Sequence, residues 1–106
     1  MKSIIRPTLT CAFLLMAASA SLSAEDAKDL YLSKCAICHG QDGAGKTAKG
    51  KKLKVQDAHA AVGKMSAEDM IKVVADGKGQ DMSGYSKELS KDQIKGLVDY
   101  YRGLAK

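Results

Sequence analysis

Apolar positions recur at helical spacing in three stretches of the chain, and glycine and lysine break the pattern between them. From about Asp26 onward, Ala27, Leu30, Tyr31, Cys35 and Cys38 fall on one stripe, which predicts a helix running into a Cys-x-x-Cys pair. Ser66, with Asp69 three residues on, marks a second helix start, and Ala67, Met70, Ile71 and Val74 carry its apolar face to a stop at Gly77. The third helix has the clearest signals: Ser90 and Gln93 match a capping box, and Ile94, Leu97, Val98, Tyr101 and Leu104 follow toward the C-terminus. A short helical turn fits Asp57 to Val62. The segment 40–56 carries Gly40, Gly43, Gly45 and Gly50 among lysines and reads as a loop, as does the Gly-punctuated segment 76–85.

Ahead of the first helix the pattern is that of a secretory signal. Lys2 and Arg6 give a basic start, Thr8 to Ala18 an apolar run, and Ala18-Ser19-Ala20 the small residues a signal peptidase reads. This predicts a signal peptide over 1–20 and a single domain over 21–106; a cut after Ala24 fits the same rule. The apolar run is too short for a convincing membrane span. Cys11 lies inside it without the leucine three residues earlier that a lipoprotein signal shows, so it leaves with the peptide. The expected product is exported and periplasmic, a monomer without stable membrane insertion, and near the lower size limit for a self-sufficient core.

Charge narrows the class of partner. The formal +5 of the whole chain falls to +3 without Lys2 and Arg6, and Arg102 is then the one arginine among many lysines. Nucleic-acid binding would call for arginine clusters interleaved with aromatics. A redox protein with an acidic docking face fits better, and Lys46, Lys49, Lys51, Lys52 and Lys54 are available to steer it.

The chemistry sits in Cys35-Ala36-Ile37-Cys38-His39. Spaced three and four apart on a helix, the two thiols and the imidazole project from nearly one face, as covalent attachment of a single c-type haem requires. Cys35 and Cys38 would form thioethers, and His39 would be the proximal iron ligand. A thioredoxin-like pair would want strands around it, and a structural zinc would want four ligands, for which only His59 remains. A porphyrin would also supply the flat apolar body missing from a domain without Trp or Phe; without it a largely disordered chain is expected.

Two further motifs have plainer readings. Gly40-Gln41-Asp42-Gly43-Ala44-Gly45-Lys46-Thr47 spells a phosphate-loop string, but it follows the Cys–His segment instead of a strand. For the sixth iron position, Met70 lies on a helical apolar stripe and is expected in the core, Met65 is expected to pack beside it, and His59 lies in a polar stretch. Met82 has no helical reason to be apolar, and its loop can bend toward the far haem face, which makes it the candidate distal ligand.

With these residues the chain resembles the class I cytochromes c of the small exported single-haem kind. The resemblance rests on Cys35 to Gly40 with Asp42-Gly43, on Gly77-Lys78-Gly79 before Met82 and Tyr85, on Leu89-Ser90 opening the last helix, and on Tyr100-Tyr101-Arg102. It implies an all-α fold whose first and last helices cross near Tyr31 and Leu97, with one haem c between His39 and Met82. It further implies an electron carrier and not an enzyme. Two departures stand out. The chain has no proline after Pro7, so a carbonyl near Leu53 is expected to orient His39 in place of the family's proline carbonyl. Ser83 replaces the proline that commonly follows the distal methionine, which predicts a looser Met82 loop.

Overall fold

The Ser23 hydroxyl accepts the Asp26 N–H and caps α1, Ala24–Lys34. The computed structural model describes residues 23–106; the expected signal segment 1–20 and Cys11 lie outside them. α1 ends one residue before the cysteine pair instead of running through it. Cys35 is the hinge between α1 and a single turn, α2 (Ala36–His39).

The glycine-rich segment read as a loop contains a second single turn, α3 (Ala48–Lys52). Thr47 makes it possible, its side chain accepting the Gly50 N–H at 2.9 Å. The weak signal after Asp57 becomes α4 (Ala58–Lys64), with the Asp57 carboxylate accepting the His59 N–H at 2.8 Å. α5 (Ala67–Asp76) starts at the Ser66 cap and stops at Gly77, as its pattern predicts. Beyond it the expected loop folds into a minimal antiparallel hairpin, β1 (Gly77–Lys78) with β2 (Met82–Ser83), in which Lys78 faces Met82. α6 (Lys91–Gly103) has the full capping box, Ser90 accepting from the Gln93 N–H and the Gln93 side chain accepting from the Ser90 N–H. Apart from that hairpin the described residues form no sheet, and the architecture is all-α, as the resemblance implies.

Helix α6 organises the core. Ile94 and Leu97 pack with Tyr31 of α1 and with Leu89, while Val98 packs with Ala61 of α4 and Met70 of α5. Tyr31 and Leu97 meet in one cluster, so the first and last helices pack where the resemblance implied. Met70 is 5 % exposed and takes the core role its stripe predicts, with Met65 packed on the same cluster. Arg102 donates through Nη1 to the Met65 carbonyl at 3.1 Å and fastens the end of α6 to the α4–α5 junction. Tyr31 and Val98 are the largest fully enclosed side chains among the described residues, so protein packing alone makes a thin core. Each such aliphatic or aromatic burial is worth only about 1.5–3 kcal/mol. Among the described residues no helix is long and apolar enough to cross a membrane.

Candidate functional site

Cys35, Cys38 and His39 are brought together by one turn of backbone. The His39 N–H donates to the Cys35 carbonyl at 2.9 Å and the Cys38 N–H donates to the same oxygen at 3.2 Å. Helical spacing therefore sets the three side chains on one face, as the sequence predicts. The turn is stopped by Gly40, whose N–H donates to the Ala36 carbonyl at 2.8 Å. Tyr31 reaches across from α1 and donates its hydroxyl to the Gly40 carbonyl at 2.6 Å.

A second strap comes from the glycine-rich segment. Thr47 donates its hydroxyl to the Ile37 carbonyl at 2.7 Å, and the Gly45 N–H donates to the His39 carbonyl at 2.8 Å. Gly50 then lies so close that a Cβ there would run into the Cys38 carbonyl. Sequence reading gave Thr47 no role beyond the phosphate-loop string. Its cap position ahead of α3 was the available signal.

The open cavity of about 390 Å³ beside this segment is lined by Gly40, Gln41, Asp42, Lys46 and Thr47, the residues of that string. It is no phosphate cradle. The Thr47 hydroxyl is turned to the Cys–His turn, Asp42 accepts the Ala44 N–H, and no strand precedes the loop among the described residues.

Both cysteines are free and half-buried. Burial pushes the Cys35 thiol up to about 11, which leaves little thiolate at neutral pH for thiol–disulfide exchange. Burial likewise lowers the His39 pKa, keeping the ring in the neutral form that donates a lone pair to a metal. His39 Nδ1 is buried with no hydrogen-bond partner. The carbonyl expected near Leu53 is therefore not provided: Leu53 closes α3, and no acceptor reaches the ring. Tyr101 of α6 does reach it, its ring 5.3 Å from the imidazole centroid and tilted 70°.

Met82 stands apart from this turn, on β2. It is half-buried yet packs on neither apolar cluster, so its thioether has no core role. The hairpin is fixed behind it: the Tyr85 N–H donates to the Val74 carbonyl at 2.9 Å and the Ser86 N–H to the Ala75 carbonyl at 3.1 Å. Gly77 turns the chain at φ +85°, where a Cβ would meet the Met82 carbonyl at 2.6 Å. Tyr85, three residues past Met82, packs on the same cluster as Cys35, and burial first, then the charge of a Cys35 thiolate, raises its pKa.

His59 is exposed and bonded to Asp57 at 3.0 Å, and no group of three or more His, Cys, Asp or Glu gathers for a metal ion among the described residues. The donor set thus suits a haem better than zinc. Two unpaired thiols, a half-buried imidazole with an unspent nitrogen and a thin core all fit a covalently bound porphyrin.

The family model described as cytochrome c oxidase, cbb3-type, subunit III matches residues 22–100. Among solved structures, the KustC0563 c-type cytochrome is 32% identical with a TM-score of 0.69, over 76% of this chain and 98% of that one. A tyrosine-to-phenylalanine mutant of Kustc0563 is 31% identical with a TM-score of 0.67, over 74% and 98%. No curated protein matches the chain.

Proposed function

The chain belongs to the c-type cytochromes, in the family described as cytochrome c oxidase, cbb3-type, subunit III, and from that premise we propose a periplasmic carrier that shuttles single electrons between redox complexes. Haem-based electron transfer is the family's activity. Cys35 and Cys38 hold one haem c by thioethers, His39 is its proximal ligand and Met82 its distal one. Bound there, the group supplies an iron that takes up and gives back one electron. The observation that carries the reading is the half-buried His39, its Nδ1 enclosed without a partner, set one residue after Cys38.

Met82 contributes a neutral thioether, a poor donor to ferric charge, and so favours the reduced state and a relatively high potential. Lys46, Lys49, Lys51, Lys52 and Lys54 are all exposed, and none pairs with a carboxylate among the described residues. They present free positive charge beside the Cys–His turn for an acidic-faced donor or acceptor. An electron carrier needs nothing more, and no enzymatic role is assigned.

The ligand assignment is tested by the visible spectrum of the reduced protein with and without carbon monoxide. The wild type should be unchanged by the gas, and Met82→Ala should bind it and shift. An unaltered sixth ligand in Met82→Ala would remove Met82 from the reading. The oxidase-subunit description of the matching family favours one second reading, that of a module working inside a larger oxidoreductase. Affinity capture from native membranes separates the two, since a diffusing carrier brings down no stoichiometric partner.

A further inference from the structure

The rotation of the His39 ring has no hydrogen bond to fix it. Nδ1 is buried and unpartnered, and the χ2 torsion of histidine is intrinsically broad. The plane of the ring must therefore be set by packing. Tyr101 presents the nearest aromatic contact, 5.3 Å between centroids at 70°, the edge-to-face arrangement that aromatic quadrupoles prefer.

Tyr101 is itself held from several directions. It packs on both apolar clusters, lies 6.4 Å from the Tyr31 ring, and precedes Arg102, which is tied to the Met65 carbonyl. Its hydroxyl makes no hydrogen bond among the described residues, so the ring is the part that touches His39. Resting on the reading of His39 as iron ligand, we propose that Tyr101 is the positioning residue for that ligand. Its aromatic ring, and not its hydroxyl, fixes the plane of the imidazole and makes the seating of α6 part of the ligand geometry.

In the oxidised protein with axially symmetric cyanide in place of the sixth ligand, the plane of the histidine sets the order and spread of the haem-methyl proton shifts, a readout independent of electron-transfer activity. Tyr101→Phe keeps the ring and should reproduce the wild-type methyl pattern. Tyr101→Leu removes it and should reorder or compress the pattern, while the mass still shows one bound haem. If Tyr101→Leu does not fold, Tyr101→Met, which fills a similar volume without an aromatic face, is the ringless variant. A wild-type pattern in a folded ringless variant overturns the proposal, and so does a Phe variant shifted as far as the ringless one. Wild-type protein without haem mass, or without shifts outside the diamagnetic range, instead overturns the functional reading on which the proposal rests.

Discussion

The Tyr31 hydroxyl donates to the Gly40 carbonyl at 2.6 Å, joining the buried face of α1 to the residue that closes the Cys–His turn. Burial, more than any neighbouring charge, holds this phenol well above its usual value of 10. A folded pKa raised in this way gives stability that is complete below about pH 10 and is lost as the pH rises, because the unfolded chain ionises first. Tyr31→Phe should cost about 1 kcal/mol at pH 8 for the lost hydrogen bond and show a shallower alkaline loss than the wild type. Urea denaturation at pH 8 and pH 11 checks both effects.

Gly50 lies against the Cys38 carbonyl and, at 2.5 Å for an added Cβ, against the Gly45 carbonyl. Neither contact is a flexible side chain that can give way. Gly50→Ala should therefore destabilise the protein by about 2 kcal/mol or more, since backbone must move. Gly63 has nothing within 4 Å of an added Cβ, and Gly63→Ala should leave the thermal midpoint unchanged or raised. A thermal melt of the two variants side by side gives the comparison.

How much of this was legible beforehand depended on the range of the interaction. Ser66, Gly77, Ser90 and Gln93 act on backbone within four residues, and their helices start or stop where those residues stand. The Cys35–His39 spacing is equally local and brought three of the four candidate ligands onto one turn. What escaped depends on contacts between distant segments. Thr47 nucleates α3 and donates to Ile37 ten residues earlier, a bond that composition reading as a lysine-rich loop hid. The hairpin at Met82 depends on Gly77 lying against the Met82–Gly84 backbone, on Gly84 lying against the end of α5, and on the Val74 and Ala75 carbonyls, none of which is a strand signal. The orientation of His39 was assigned to a carbonyl by resemblance, whereas the fold offers it a ring from α6.

Exposed lysines on and around α3 should govern encounter with an acidic partner. Replacing Lys49, Lys51 and Lys52 together by Glu should slow association with an acidic-faced redox protein by about tenfold or more at low ionic strength. The difference should shrink as added salt shortens the screening length. Stopped-flow rates across a salt series provide the test, and equal slopes for wild type and variant would place the docking face elsewhere.

The most direct test of the whole account is the intact mass of the exported protein in denaturant, after expression beside a maturation apparatus for c-type haem. The expected result is one species heavier than its polypeptide by a single haem, with the added mass lost when Cys35 and Cys38 are both changed to Ser. A polypeptide of bare mass from the wild-type chain would contradict it.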